Sequence, residues 1–596
     1  MGSFAGAAGS PLMVRCLMIA CIFAVIGSPH LLFTQKTPTA TAGSLHFRDI
    51  SKDVGLLTMP PTSDEKRYLV ETMGGGVALF DCDNDGKLDI LVTGDSTIER
   101  YKVGGDPMVY LYHQDRDLHF SDLTKSAGLT TRGWGMGIAV ADYDNDGLPD
   151  IYVTGYGHNA LYHNLGGCKF EDVTERAHVS GSGFSVGAAW ADYDHDGLLD
   201  LFVSRYVHSD INNLPAPGSR SFNYKGLPIE VPATEGETSL LYHNRGNGTF
   251  EEVSEKAGVH NSEKRRGMGV TWADYDDDGW PDLFVANDMD ANYLYRNKHD
   301  GTFQDVGMVT GVALSSSGLE MGNMAADFGD YAHRGKFDLL VTRFGNQPIS
   351  LYRNDGERGF MDVAQDAKIA DPSSAPVKWG AGFQDFDNDG WLDLLVANGN
   401  VSPLADQLPH EAPYRERLQL FHNLGGPTFN EVAQATGLND GPLQSRRGAA
   451  FGDVNNDGLV DVIIYNVGQP PTLFINETQN SNHRVLLKLV GVKSNRDAIG
   501  ARVSLQTSTM SQVAEVHAGG SYLSSNDQRI HFGLGPEGTI EKLTIRWPSG
   551  NVEVLTKLLA DSIYTIVEGR GVQSAVALSL VKGPPGPRST TPKHLD

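Results

Sequence analysis

The chain has 596 residues, 40% of them hydrophobic, enough for a sizeable core and too long for one small domain. Its formal net charge of −26 excludes the phosphate neutralisation by Lys and Arg on which non-specific nucleic-acid binding depends, so no nucleic-acid partner is expected. Sixty-nine glycines and no long helical periodicity favour a turn-rich β architecture.

At the N-terminus, Arg15 precedes an apolar stretch from Cys16 to Ile26, and a polar segment then ends in Ala40-Thr41-Ala42. That order predicts an export signal over 1–42; an uncleaved membrane anchor running through Leu31-Leu32-Phe33, interrupted by Pro29 and His30, is the rival. The product is expected outside the cytoplasm: secreted, periplasmic or at the cell surface. Cys16 and Cys21 belong to this leader, leaving Cys82 and Cys168. Two cysteines make no disulfide framework. Free or partly buried thiols are expected, with a single Cys82–Cys168 bridge left open.

From residue 81 onward one loop recurs between short apolar runs, Asp-x-Asp-x-Asp-Gly-x-x-Asp. Its copies hold Asp81, Asp83, Asp85 and Asp89; Asp142, Asp144, Asp146 and Asp150; Asp192, Asp194, Asp196 and Asp200; Asp274, Asp276, Asp278 and Asp282; Asp385, Asp387, Asp389 and Asp393; and Asp453, Asn455, Asp457 and Asp461. Four carboxylates within nine residues repel one another unless a cation sits among them. Hard oxygen donors at alternate positions with Gly at the sharp turn suit Ca²⁺, so about six Ca²⁺ sites are expected. Six dications would add twelve positive charges and offset much of the formal −26.

The loops space a unit of roughly 50–60 residues. Each unit reads as four short strands, with Gly135–Asp142, Ile151–Gly155, Ala160–Asn164 and Lys169–Thr174 as the second unit's set. The third-strand signature recurs seven times, from Leu111-Tyr112 to Leu473-Phe474, and the fourth-strand Phe recurs from Phe120 to Phe429. A seventh fourth-strand copy, Phe47-Arg-Asp-Ile50, has no third strand before it, and Thr472–Asn476 has no fourth strand after it. The two orphans complete one another. The chain is therefore expected to be all-β: a seven-bladed β-propeller over 44–478, closed by its N-terminal strand, because closure removes exposed edges. A parallel β-helix would use much shorter repeats. The fifth unit, Asp327 to Asp338, lacks the carboxylate spacing and reads as a metal-free turn in which Arg334 is a candidate fixed charge.

The acidic loops and their flanking strands resemble the FG-GAP/VCBS repeats of integrin-α propellers. The resemblance implies Ca²⁺ held by side chains at positions one, three, five and nine and by the backbone carbonyl at seven. The carbonyls are then those of Lys87, Leu148, Leu198, Trp280, Trp391 and Leu459. Asn455 removes one charge, so the last site is expected to be the weakest. After the propeller, Ser494–Arg502, His517–Ser524, Arg529–Gly535 and Ile545–Gly550 resemble the ASPIC/UnbV domain of the cartilage acidic protein family. That domain is expected over 480–568 as a small β-sandwich, on the alternation Val485, Leu487, Leu489 and Leu543, Ile545, Trp547. A disordered tail is expected over 571–596.

The long insertions, Thr93–Met108, Arg205–Ser239 and Asn398–Leu418, join second to third strands and are expected on the face opposite the acidic loops. Residues just before the inner strands surround the channel mouth on that face. They include Arg67, Arg132, Arg265, Arg266, Lys378, Arg446 and Arg447, with Arg205, Asp288 and Arg343 at second-strand ends nearby. This rim is the candidate ligand site, against a reading in which the cations pair with neighbouring acids. No nucleophile elbow, phosphate loop or dinucleotide fingerprint stands in a suitable context. His163 and His243 recur with the blade and read as structural; His483, His517 and His531 read as sandwich packing. The leading expectation is a non-catalytic exported propeller that binds an extracellular protein or glycan. The alternative is a polysaccharide hydrolase or lyase with its active site at the channel mouth.

Overall fold

The computed structural model describes residues 45–578, apart from 117 and 217. The expected leader and anchor fall outside the described residues. Among those residues no helix is long and apolar enough to cross a membrane, and none exceeds five residues.

Seven four-stranded units follow one another. Their inner strands are Val77–Phe80, Gly135–Ala141, Ser185–Ala191, Gly267–Ala273, Met321–Gly329, Lys378–Gln384 and Arg446–Gly452. Each pairs antiparallel with the strand that leaves its loop, and the third and fourth strands add outward. The seventh unit takes its fourth strand from the N-terminus: Phe47–Asp49 pairs with Thr472–Asn476, Phe47 opposite Asn476 and Asp49 opposite Phe474. The inner strand of each unit packs on that of the next, and Arg446–Gly452 packs on Val77–Phe80.

The inner strands are small and buried because they crowd the axis. A Cβ on Gly187 would stand 2.4 Å from the Met268 carbonyl oxygen, and one on Gly269 would stand 2.6 Å from that of Met324. The register shifts at this point in units two to seven. In units two and three a second-strand hydroxyl meets the freed backbone: Gly137 N–H donates to Thr154 Oγ1 and Gly187 N–H to Ser204 Oγ. Neighbouring units are tied by the Asn that ends the third strand. Asn164 Nδ2 donates to the Cys82 carbonyl, Asn244 to Tyr143, Asn297 to Tyr193, Asn354 to Tyr275, Asn423 to Tyr331 and Asn476 to Phe386. Gln114 donates to Val454, which links the first unit to the seventh. That circuit explains why an Asn recurs at the end of the third strand.

The C-terminal domain has two four-stranded sheets. One orders Ile530–Gly535, His483–Val490, Ser562–Val567 and Gly571–Ala577; the other orders Ser511–Glu515, Arg502–Gln506, Thr539–Arg546 and Val552–Leu559. Val485, Leu487, Leu489, Leu543, Ile545 and Trp547 are buried in a common core, as the alternation required. The tail expected from 571 is corrected: Gly571–Ala577 is a strand paired with Ser562–Val567. It is an edge strand with little burial, so its backbone ladder leaves no core signature in the sequence. The cysteine expectation is corrected too, because Cys82 and Cys168 form a disulfide.

One segment of this domain leaves its sheets and enters the propeller. Ala518 pairs with Trp190, Ser521 with Ala326 and Ser525 with Ala78, all on inner strands. Ile138 N–H donates to the Leu523 carbonyl, and the Tyr522 hydroxyl donates to the carbonyl of Met73. Tyr522 and Leu523 are buried among Trp134, Met136, Met268, Met324 and Trp379. The axial channel is therefore filled by protein.

Candidate functional site

The six regular loops share one backbone. The residue at position four is left-handed throughout, with φ from 56° at Asn456 to 61° at Asn145 and Asp277. Only Asn, Asp and one His occupy it, as that region favours. In the second loop the Asp142 carboxylate accepts N–H groups of Asp146 and Gly147, and Asp146 accepts that of Leu148. Asp150 accepts from Tyr143 and Asn164 and meets His163 Nδ1 at 3.2 Å. Position seven is pinned likewise elsewhere: Lys87, Leu198, Trp280, Trp391 and Leu459 donate to Asp85, Asp196, Asp278, Asp389 and Asp457. The histidines thus hold loop carboxylates, which is the structural role read for them.

This arrangement concentrates oxygen. Asp81, Asp83 and Asp85 bring carboxylate oxygens within 4.8 Å of one another. Asp83, Asp192, Asp194 and Asp276 each have a buried Oδ1 with no hydrogen-bond partner, as does Oδ2 of Asp282. Burial and then neighbouring carboxylates push Asp192 up to about 8 and hold Asp385 well above the carboxylate range. Burial likewise raises Asp142 to about 8, with Asp497 adding to it. Asp200, Asp387, Asp389, Asp453 and Asp461 are shifted in the same direction. Crowded, orphaned carboxylate oxygens with no soft donor fit a hard dication.

The fifth loop keeps more of the pattern than its sequence suggested. Asp330 and Asp338 stand at positions one and nine, His333 is left-handed, and Gly335 N–H donates to Asp330. Ala332 and Arg334 replace the other two carboxylates. The Arg334 guanidinium binds Asp338 and donates to the Asn354 carbonyl, so a fixed charge fills this loop.

The cationic rim is not a free surface. Arg265 pairs with Glu263 and stacks over Tyr293, Arg266 pairs with Asp290, and Arg205 with Glu237. Arg67 pairs with Glu65, and Arg132 donates to the Gly105 carbonyl. Lys378 Nζ donates to the carbonyls of Phe344, Gln347, Ser373 and Pro376, and burial lowers it to about 7. Arg447 lies over Trp379 and donates to Thr72 and Asn400 carbonyls; Arg446 donates to Glu416. Arg343 is buried against Asn323 and Tyr352, and Asp288 accepts the Tyr206 hydroxyl. The alternative set beside the rim, pairing with neighbours, is what the side chains do, although carbonyls take part as often as acids.

Three features escaped the sequence. Arginines of the C-terminal domain dock on the acidic loops: Arg546 on Asp274 and Asp277, Arg502 on the Gly335 carbonyl, Arg529 on the Asp453 carbonyl and Arg484 on that of Asp457. His517 and His531 line one cavity between propeller and sandwich, while His483 pairs with Asp561 elsewhere. On the insertion-bearing face, an opening of about 350 Å³ is lined by Pro413, Arg415, Arg417, Gln434, Asn439 and Leu443. Ala412, Tyr414, Glu416 and Leu418 are buried while Pro413, Arg415 and Arg417 are exposed. That period of two was the available signal for a cationic stripe.

The FG-GAP-like repeat family matches 81–153, 142–203, 231–285, 274–341, 330–396 and 385–464, more than half of the chain. The chain belongs to the FG-GAP-like repeat family. Residues 491–573 match the ASPIC and UnbV family. Cartilage acidic protein 1 of Mus musculus is 24% identical over 540 residues, covering 89% of this chain and 78% of that one. The Xenopus tropicalis protein of the same name is 27% identical over 285 residues, covering 46% and 40%, and the Homo sapiens one 26% over 321, covering 52% and 44%. The chain thus spans less than half the length of the frog and human relatives in these matches. Similar solved structures include the BP39L lectin from Burkholderia pseudomallei, with TM-score 0.39, 10% identity and coverage of 69% and 98%. An Agrocybe aegerita protein that recognises non-reducing terminal N-acetylglucosamine has TM-score 0.36, 18% identity and coverage of 62% and 81%. These scores carry no functional argument for this FG-GAP chain.

Proposed function

We propose that this FG-GAP protein is an exported, calcium-stabilised and non-catalytic scaffold that binds an extracellular protein or glycan through its insertion-bearing face. The observation that carries this reading is the two-sided use of the propeller. The C-terminal domain covers the acidic-loop face and fills the channel with Tyr522 and Leu523, which leaves the insertion-bearing face for a partner. The same filling of the axis argues against an active site at the channel mouth.

On the acidic face, Ca²⁺ would be held by the side chains at positions one, three, five and nine with the position-seven carbonyl. It would neutralise the buried oxygens of Asp192 and Asp194 and staple two strands of each unit that keeps the regular loop. On the other face, Arg415 and Arg417 offer planar donors, one of those of Arg417 already held by Gln434, with Glu416 and Glu431 in the same lining and Leu443 as an apolar contact. An acidic peptide or a glycan bearing carboxylate or sulfate suits that lining. The leader motivates export.

The test combines thermal melts with arrays. Chelation is expected to lower Tm, since a site at a hundred times its Kd contributes about 2.7 kcal/mol. The calcium-loaded chain is screened on glycan and secreted-protein arrays, with turnover assayed on each hit. Arg415→Ala/Arg417→Ala is expected to weaken capture at least tenfold with an unchanged melt. A melt insensitive to chelator removes the calcium reading, and turnover of a captured polymer removes the non-catalytic one.

A further inference from the structure

The seven junctions between neighbouring units are built alike, and one of them, Cys82 beside Phe170, carries a disulfide as well. The residue at loop position two packs against the fourth-strand Phe of the following unit: Tyr143 with Phe250, Tyr193 with Phe303 and Tyr275 with Phe360 at 5.6 Å between ring centroids, and Tyr331 with Phe429 at 5.5 Å. Phe386 meets Phe47 at 5.4 Å, and Val454 shares a core with Phe120. Between the first and second units the position is Cys82, bridged to Cys168 on the next unit's outer hairpin.

Two further donors face that bridge. His113 Nδ1 stands 3.7 Å from Cys168 Sγ and 2.9 Å from Asp89 Oδ1, and Asp89 Oδ2 is 4.0 Å from the same sulfur. One donor atom from each of Cys82, Asp89, His113 and Cys168 lies within 4.8 Å of all the others. Cys82, Asp89 and Cys168 are buried. The four come from a loop, two strands and a neighbouring hairpin, so the propeller ring holds them together, and on reduction the two sulfurs have only to move apart to flank an ion.

We propose that Cys82, Cys168, His113 and Asp89 form a second kind of metal site, different in donor chemistry from the acidic loops and overlapping the first of them at Asp89, which binds Zn²⁺ when the disulfide is reduced. Two thiolates, one imidazole and one carboxylate are a tetrahedral zinc donor set, and softer than any acidic loop. A thiol reductant supplies the electrons: two reductant thiols give up two electrons and two protons and leave as a disulfide, and the cysteines become thiols. Zn²⁺ then displaces the two thiol protons. Asp89 is also position nine of the first acidic loop, so the two sites share one carboxylate.

The experiment uses the full chain, stripped of metal, reduced and kept anaerobic, with Co²⁺ as the optical probe and Zn²⁺ as competitor. One equivalent of Co²⁺ is expected to give thiolate-to-cobalt charge-transfer absorption with tetrahedral visible bands. Zn²⁺ should displace it and protect both cysteines from alkylation. The oxidised chain should show neither effect, Cys168→Ser should lose the charge-transfer band, and His113→Phe should weaken binding at least tenfold. Reduced, folded chain that binds Co²⁺ only with weak octahedral, oxygen-type absorption, or whose cysteines alkylate at the same rate with and without Zn²⁺, would overturn the proposal. That outcome leaves the acidic loops untouched. If Cys168→Ser does not fold, the alkylation arm on the natural chain decides alone.

Discussion

His517 and His531 face a cavity of about 140 Å³ between propeller and sandwich, whose lining also carries Asp327, Asp385, Asp453, Glu515, Asp527 and Arg529. Burial lowers both imidazoles to about 4, against the opposing effect of backbone contacts at Trp272 and Gly458. In the unfolded chain a His takes its proton near 6.5. The unfolded state therefore binds more protons between about 6.5 and 4, and the stability these residues contribute is full above that window and lost as pH falls through it. The loss is on the order of 3 kcal/mol per residue at most. Metal-free loop carboxylates such as Asp192, raised to about 8, act in the opposite sense, because the folded chain holds the extra proton. Denaturant melts from pH 7.5 to 4.5 on calcium-loaded chain separate the two: His517→Gln is expected to flatten the acid decline, and identical profiles would refute the assignment.

Strands and loops were largely legible, because the acidic spacing fixes where each inner strand ends and the third-strand Asn fixes where the neighbouring unit must lie. The N-terminal closing strand followed from Phe47 having no partner within its own stretch of sequence. Other features lacked a local signal. Lys378 reads as a free cation until four carbonyls from two connections converge on it. The segment Ala518–Gln528 reads as an ordinary polar loop, since Tyr522 and Leu523 are its only large apolar residues and their pocket is made by Met136, Val186, Met268, Met324 and Trp379 of five separate strands. Its importance is testable. Tyr522→Ala leaves a hole on the axis beneath Trp379, whose ring centroid is 4.9 Å away, and strands the Met73 carbonyl. A cost of about 3–5 kcal/mol is expected from calorimetry or denaturant melts. A change below about 1 kcal/mol would mean the channel collapses around a smaller residue.

At the scale of the whole chain, the two domains share the acidic face. Arg484, Arg529 and Arg546 reach loop carbonyls or carboxylates, and Asp497 accepts the Asp142 N–H. These contacts need the loop backbones in place, so on the proposed calcium reading loss of the cations should loosen the sandwich before the blades. The fourth loop already has Arg296 on Asp276 and Arg546 on Asp274, and so should bind added Ca²⁺ less tightly than the second and third loops. Chelation is expected to raise the rate of tryptic cleavage between residues 478 and 578 several-fold while fragments from the blades persist. Equal rates with and without chelator would show that docking is independent of the loops.

The strand that begins the described chain is hydrogen-bonded to one made more than four hundred residues later, as in the Arg48 side chain on Glu477, 429 positions apart. During synthesis Phe47–Asp49 has no mate until Thr472–Asn476 has emerged, which at about 5–20 residues per second takes on the order of 20–90 s. For that interval the nascent ring is an open arc with two bare edges, and a second nascent arc offers the same edges. Chain-exchanged dimers are therefore the natural misassembly of this topology, and the time a ribosome takes to cover that distance sets how long each molecule is exposed to it.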